Sequence, residues 1–299
     1  MKYIVTGGAG FIGSNLVDAL IEQGHEVAIL DDLSTGNIKN VNKKATIYKQ
    51  DISKDLKNLY HIFEDVDCLF HLAAWARVPR SIEDPIGTNK VNVTGYLNIL
   101  QACRLYNIKI ICSSSSSVYG DQNTHIMSEF MSLSPKSPYG LQKVICEQYS
   151  ELFCKLFDMS IVSLRYFNVY GNRQVTEGAY ALVIGKFLEQ KNNNKPMTIY
   201  GDGTQTRAYT HVSDVIKANI LASNIYKGLG HTILNIGTDK ETSVNDIAKM
   251  IGGKTEHIIP SPRGKFEEMR KCANFILAKE LIGWEPKVSI EDGIKELIK

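Results

Sequence analysis

The stretch Thr6-Gly7-Gly8-Ala9-Gly10-Phe11-Ile12-Gly13-Ser14 follows directly on the apolar run Lys2 to Thr6 and opens an amphipathic segment. This strand, glycine turn and helix in succession decide the fold. Glycines let the backbone turn tightly and approach a pyrophosphate, whose negative charge is favoured at a helix N-terminus. The spacing of Gly7, Gly10 and Gly13 is G-x-x-G-x-x-G, a variant of the G-x-G-x-x-G dinucleotide fingerprint. Gly7, Gly10, Phe11, Ile12 and Gly13 are therefore candidate cofactor contacts. A second strand, Glu26 to Asp31, ends in an acid where the ribose-binding carboxylate belongs. Asp31 could accept the ribose hydroxyls of NAD but would repel the 2′-phosphate of NADP. Asp32 follows and no arginine stands nearby to compensate, so NAD is the expected cofactor.

Outward from this junction, short apolar strands alternate with amphipathic helices, the pattern of a parallel sheet covered on both faces. Further strands are expected at Thr46 to Asp51, Cys68 to Ala73, Lys109 to Ser113 and Ser160 to Tyr166. Helices are expected at Phe11 to Gln23, Asp84 to Tyr106 and Tyr139 to Phe157. After Asn168 the strands shorten and Gly and Pro become frequent. The expected fold class is α/β: a Rossmann-type doubly wound parallel sheet with a smaller α/β C-terminal substrate lobe. Residues 1–168 form the NAD-binding domain, with 210–237 returning to it, and 169–299 the substrate lobe. The run Lys191 to Lys195 reads as a surface loop or helix end.

Composition narrows the function. Of 299 residues, 43% are hydrophobic and 22% charged, an ordinary globular balance. A net charge of +2 points away from nucleic acid as a partner. A strand signal at Lys2 leaves no room for a signal peptide, and no apolar run is long enough to span a bilayer. Six cysteines form no C-x-x-C pair and no ligand cluster with histidine, so reduced buried thiols, a cytoplasmic location and no metal are expected.

The chemistry concentrates in two segments. Tyr139-Gly-Leu-Gln-Lys143 puts a tyrosine and a lysine four residues apart on one helical face. Cys112 to Ser117 ends the fifth strand, and strand ends of this kind face the ligand crevice. A free tyrosine, with a pKa of about 10, is too weakly acidic to serve as a base at neutral pH. Lowering it by about three units needs roughly 4 kcal/mol. A lysine ammonium and a positively charged nicotinamide supply charge of the required sign. Either motif alone occurs by chance; together with the fingerprint they form a constellation. Asp51, ending the third strand, reads equally as a contact for the adenine amino group or as a solvated strand-end carboxylate.

These residues resemble the extended short-chain dehydrogenase/reductase family, in its branch of NAD-dependent sugar epimerases and dehydratases. The resemblance runs through TGGAGFIGS (6–14), LDDLSTGN (30–37), HLAA (71–74), NVTG (92–95), SSSSVYG (114–120) and SPYGLQK (137–143). It continues through RYFNVYG (165–171), YGDGTQTRAYTHVSDV (200–215) and AKELIGWEPK (278–287). It implies that Tyr139 is the base, Lys143 its electrostatic partner and nicotinamide-ribose anchor, and Ser115 the serine bonding the reacting hydroxyl. Ile52, Leu72, Ala73, Ala74 and Asn92 would line the cofactor. Asn168 and Arg207 would hold the substrate diphosphate, with Arg263 a further phosphate ligand and Glu268 a contact to the nucleoside ribose. Arg165 reads as a structural ion-pair partner, and His71 and His211 as hydrogen-bonding strand-end residues.

Related 4,6-dehydratases carry an Asp-Glu pair after the catalytic serine or threonine, and related decarboxylases and GDP-mannose dehydratases a glutamate two residues after it. Ser116 and Ser117 cannot do that carboxylate chemistry. The resemblance thus implies inversion at C4 of a UDP-hexose through a transient 4-keto sugar. The rivals are a UDP-glucuronate 4-epimerase, which resembles RYF followed by threonine rather than Asn168, a 4,6-dehydratase, and a catalytically silent NAD-binding scaffold or redox sensor. Val78 to Ile82 and Gly178 to Ala181 resemble epimerases accepting N-acetylated UDP-hexoses. Against this, Lys271 occupies a sugar-pocket position where small residues admit the N-acetyl group. Ala208 and Gln142 are further departures, replacing the usual aspartate and serine. A homodimer paired through the two long helices is the implied assembly.

Overall fold

The computed structural model describes residues 1–176, 182–225, 230–259 and 270–298. Seven parallel strands form the main sheet: β1 (Lys2–Thr6), β2 (Glu26–Asp31), β3 (Thr46–Lys49), β4 (Cys68–His71), β5 (Lys109–Ser115), β6 (Ile161–Tyr166) and β7 (His231–Ile236). Ten helices accompany them among the described residues: α1 (Phe11–Glu22), α2 (Val78–Glu83), α3 (Pro85–Asn89), α4 (Gly95–Leu105), α5 (Pro138–Phe157), α6 (Val183–Asn192), α7 (Val212–Ser223), α8 (Val244–Ile251), α9 (Ile276–Ile282) and α10 (Ile290–Ile298).

The strand order is β7-β6-β5-β4-β1-β2-β3. From β1 the chain builds β2 and β3 on one side, then crosses back to build β4 to β7 on the other. The order reverses between β1 and β4, and ligands of open α/β sheets bind beyond the carboxyl ends of strands at such a point. Two apolar layers explain why these strands read as continuous hydrophobic runs. One layer joins Leu16, Val17 and Leu20 of α1 to Val215, Ala218 and Ala222 of α7, with Trp284 sealing its edge. The other joins Tyr96, Ile99 and Leu100 of α4 to Cys146 and Cys154 of α5. Lys109, buried at the start of β5, donates to Ser223 O (2.9 Å) and to Ile225 O, carbonyls at the C-terminal end of α7. A cation there satisfies orphan carbonyls and suits the helix dipole.

Several boundaries differ from expectation, and identifiable hydrogen bonds account for the ends of β3 and β4. β3 and β4 end at Lys49 and His71 because the next groups bond elsewhere. Asp51 Oδ1 accepts the Ser53 N–H (2.8 Å), and the Ala73 N–H goes to Thr6 Oγ1 (3.2 Å). β5 instead runs on to Ser115, paired with Tyr166. The expected helix from Asp84 to Tyr106 is three pieces: α3, a π-helical turn at Lys90–Thr94, and α4. An unexpected α2 precedes them. It stops at the Asp84-Pro85 step, where Asp84 Oδ1 accepts the Gly87 N–H (2.8 Å) and proline starts the next helix.

The C-terminal region packs α6, α8 and α10 around a parallel pair, Met197–Tyr200 with Thr255–Ile258. Its core contains Phe187, Ile199, Ile247, Ile251 and Ile294. The six cysteines are buried and form no disulfide. No helix among the described residues is long and apolar enough to cross a membrane.

Candidate active site

The glycine turn is built by close approach. Gly7 has φ +71°, and a Cβ there would lie 2.8 Å from Ala73 N. A Cβ on Gly13 would lie 2.1 Å from Gly7 O, which would force apart helix and turn. Gly10 caps α1 without a side chain, so the first-turn N–H groups point outward with no intrahelical acceptor. That is a cradle for phosphate oxygens. Asp31, buried at the end of β2, accepts the N–H groups of Ala9 (2.9 Å) and Leu33 (2.8 Å), one on each oxygen. Burial raises its pKa and these two donors oppose the rise. Each oxygen keeps a lone pair for a ribose hydroxyl. Asp32 Oδ1 is engaged by the N–H and hydroxyl of Ser34 (2.9 and 2.6 Å).

The opposite wall comes from the turn after β4. Thr6 Oγ1 accepts the N–H groups of Leu72 and Ala73, both at 3.2 Å, and lies 2.9 Å from His71 Nδ1. With both N–H groups donating in, the hydroxyl proton is free for Nδ1, leaving His71 neutral with its proton on Nε2. Burial, and then the Lys143 charge, push the His71 pKa down to about 3. Its ring lies against Tyr96, centroids 4.9 Å apart. Asp51 keeps one carboxylate oxygen outside its turn with Ser53. Ile52 is buried against Gly95, and its carbonyl is held by Asn98 (2.8 Å).

β5 and α5 carry the candidate catalytic residues. Ser115 Oγ lies 3.1 Å from Ser117 Oγ and accepts the Ser117 N–H (3.2 Å), turning the chain at the strand end. The first turn of α5 presses on that turn: a Cβ on Gly140 would sit 2.6 Å from Ser117 O. The start of α5, which carries Tyr139, is therefore packed on the turn that follows Ser115. Lys143, 3% exposed, donates to Ser113 O (2.7 Å), and its Nζ lies 6.0 Å from the Tyr139 ring centroid. Burial disfavours the ammonium, but Tyr139, Cys112, Cys146 and Glu147 more than offset it, and the Lys143 pKa is raised. Burial pushes the two thiols up to about 11 and about 12.

Supporting contacts surround the site; Asn92 and Gln142 stand out in the sequence, whereas the contacts of Ser81 and Arg77 do not. Ser81 Oγ on α2 accepts the Tyr139 N–H (3.1 Å), anchoring the first turn of α5. Asn92, on the π-helical turn, accepts the Trp75 N–H (2.8 Å) and donates to Gln142 Oε1 (2.7 Å), while Gln142 Nε2 reaches Thr88 (3.0 Å). Gln142 thus ties α5 to α3 and to the loop after β4. Serine, with a shorter side chain, would lack this reach. Arg77 caps α2; burial lowers its pKa, opposed by nearby Tyr139.

Behind the site lies a buried polar network. Arg165 grips Glu147 through Nε (2.9 Å) and Nη2 (2.7 Å), and Glu147 Oε1 also accepts Ser114 Oγ–H (2.6 Å). Arg165 Nη1 donates to Tyr119 OH (2.9 Å), which donates to Asn235 Oδ1 (2.6 Å). Arg165 is an ion-pair partner inside the fold. His211 caps α7 through Ser213, and its Nε2 lies 3.8 Å from Glu296.

Of the substrate candidates, Asn168 and Arg207 are brought together. Asn168, at φ +36°, donates to Ala208 O (2.9 Å), next in chain to Arg207, whose Nη1 donates to Thr206 O (2.7 Å). The Ala208 N–H donates to Lys271 O (3.1 Å), which pins the Lys271 backbone here. The Lys271 side chain turns inward, 3% exposed, with Nζ 3.4 Å from Ser116 O. Arg263, Glu268 and the segment Gly178 to Ala181 lie outside the described residues.

The pattern of the NAD-dependent epimerase/dehydratase family matches residues 3–237. The chain is 42% identical to a putative UDP-glucose 4-epimerase of Methanocaldococcus jannaschii, over 99% of this chain and 96% of that one. Among solved structures it is similar to a UDP-glucose 4-epimerase of Thermotoga maritima with UDP-glucose, with a TM-score of 0.93 and 37% identity over 100% of this chain and 97% of that one. It is also similar to a UDP-N-acetylglucosamine 4-epimerase of Methanobrevibacter ruminantium in complex with UDP-N-acetylmuramic acid, with a TM-score of 0.92 and 35% identity over 99% and 96%.

Proposed function

The chain belongs to the NAD-dependent epimerase/dehydratase family, and from that premise we propose that it inverts C4 of a UDP-hexose. The observation that carries the reading is the delivery of Tyr139 and Lys143 by α5 against the serine end of β5, beside the glycine cradle. The cradle fits NAD: Gly7 and Gly13 leave no room for a Cβ, α1 presents uncapped N–H groups, and Asp31 stands ready for the ribose. When bound, NAD supplies the redox capacity, taking two electrons from C4 and returning them, so that the net change is inversion. Tyr139 takes the C4-hydroxyl proton and later gives it back, Ser115 bonds the same oxygen, and Lys143 keeps positive charge beside the phenol. Asn168 and Arg207 hold the diphosphate while the 4-keto sugar turns to present its other face.

We assign cofactor binding to residues 1–168 with 210–237, and the nucleotide-sugar wall chiefly to the rest. Lys271, folded onto Ser116, narrows the side where an N-acetyl group would sit, which supports UDP-glucose and UDP-galactose as the first substrates to test. Incubation with UDP-glucose, UDP-galactose and UDP-N-acetylglucosamine, without added cofactor and followed by chromatography, is expected to yield a C4 epimer of unchanged mass. A product lighter by one water would establish a dehydratase instead, and no conversion of any of the three would remove the assignment.

The assembly we propose is a homodimer. On α5, Leu141, Leu152 and Leu156 are exposed and Ile145 half-buried, a stripe at helical spacing that faces solvent in the single chain. Leu105 on α4 is also exposed. Leu152→Glu is expected to convert the dimer to a monomer in size-exclusion chromatography with light scattering. A variant that elutes unchanged would place the interface elsewhere. Buried cysteines outside any disulfide suit the reducing cytoplasm as the location.

A further inference from the structure

His125 and Cys272 stand 147 residues apart in the chain, and no spacing rule would pair them. The fold places them side by side. The Cys272 N–H donates to His125 O (2.8 Å), beginning the short parallel pairing of Ile126–Met127 with Cys272–Ala273. The Ala273 N–H then donates to Thr238 O (3.0 Å), bringing in the loop after β7, which carries Glu241. Thr206 Oγ1–H donates to Glu241 Oε1 (2.8 Å), and Glu241 Oε2 lies 3.9 Å from His125 Nε2. One imidazole nitrogen, one thiol sulfur and one carboxylate oxygen all lie within 4.8 Å of one another.

We propose that His125, Glu241 and Cys272 form a binding site for a borderline-soft divalent cation of the zinc type, with solvent as the fourth ligand. A hard cation such as magnesium prefers an all-oxygen shell, whereas nitrogen, sulfur and oxygen together suit zinc or cobalt. Metal–ligand distances of about 2.0–2.3 Å put donors roughly 3.3–3.7 Å apart in a tetrahedron, so these side chains need to close by about 1 Å. His125 is partly exposed and able to swing, Glu241 is mostly covered and held by Thr206 and Arg270, and Cys272 is buried at the base. The Arg270 guanidinium now holds Glu241 Oε2 and is the group a metal must displace; it is exposed, so releasing it to water costs little. Occupancy would clamp three segments at once, one of them carrying Lys271 and another, through Glu241, bonded to Thr206 next to Arg207. The metal site would thus stiffen the wall on which the sugar nucleotide is proposed to rest.

Titration of the reduced, chelator-treated full-length protein with cobalt(II) tests this directly. The expected result is one equivalent bound, a thiolate-to-cobalt charge-transfer band, d–d intensity of a four-coordinate ion, and bleaching of both by zinc. Cys272→Ser should lose the charge-transfer band with an unchanged circular dichroism spectrum. His125→Ala should weaken cobalt binding by about tenfold or more, and Arg270→Ala, by freeing the carboxylate, should tighten it. Absence of a stoichiometric band, its persistence in Cys272→Ser, or equal affinity of His125→Ala and wild type would each overturn the site.

Discussion

Tyr139→Phe will lower kcat for C4 inversion by about 10²–10⁴-fold, the usual contribution of a positioned acid–base group. The substitution deletes one oxygen from a ring that is 8% exposed and whose centroid lies 6.0 Å from Lys143 Nζ. The ring's packing, the Ser81 bond to the Tyr139 backbone and the Lys143 bond to Ser113 all survive. What is lost is the atom proposed to carry the C4-hydroxyl proton. KM should therefore stay within about threefold, since a group acting only in the transition state leaves ground-state binding nearly untouched. Steady-state kinetics with UDP-glucose separate the two parameters. A variant turning over at near wild-type rate would take the proton transfer away from Tyr139.

The second large effect concerns stability. Glu147→Ala will destabilise the fold by about 3–5 kcal/mol, because it strands a buried guanidinium. Arg165 and Glu147 are 2% and 5% exposed and bond through both carboxylate oxygens. Removing the acid also leaves Ser114 Oγ without its acceptor and loosens the chain from Arg165 through Tyr119 to Asn235. A loss of that size should lower the melting temperature by roughly 10 °C in a chain this long. The double change Glu147→Leu with Arg165→Met should recover much of it, since replacing a buried pair by apolar groups is often near neutral. Calorimetry that finds Glu147→Ala melting with wild type would show the pair to be energetically idle.

How much of this was legible beforehand depends on distance along the chain. The glycine cradle, Asp31 at the end of β2 and the Tyr139–Lys143 pair are local patterns, and the expected α/β fold and strand positions follow from short-range periodicity. Strand ends were less legible because they are set by partners such as Thr6 Oγ1, which captures the Ala73 N–H across the crevice. The inward turn of Lys271 depends on a main-chain bond to Ala208, and nothing in its own neighbours signals it. Ser81, Gln142 and the His125–Glu241–Cys272 cluster are likewise products of tertiary contact. The one clue to Gln142 was its departure from the family's serine. For Ser81 and the cluster no local signal existed.

The wide turn at Lys90–Thr94 also constrains how this gene can change. An α-helix advances about 100° per residue, so the extra residue offsets the faces of α3 and α4 by that angle. The offset lets Asn92 reach Trp75 and Gln142 while Tyr96, Ile99 and Leu100 still meet the sheet. Deleting a single codon here would permit an unbroken helix with better backbone bonding, yet it would rotate one of the two faces out of phase. The segment is thus intolerant of length change even where it tolerates substitution, and aligned relatives should show no gaps across it.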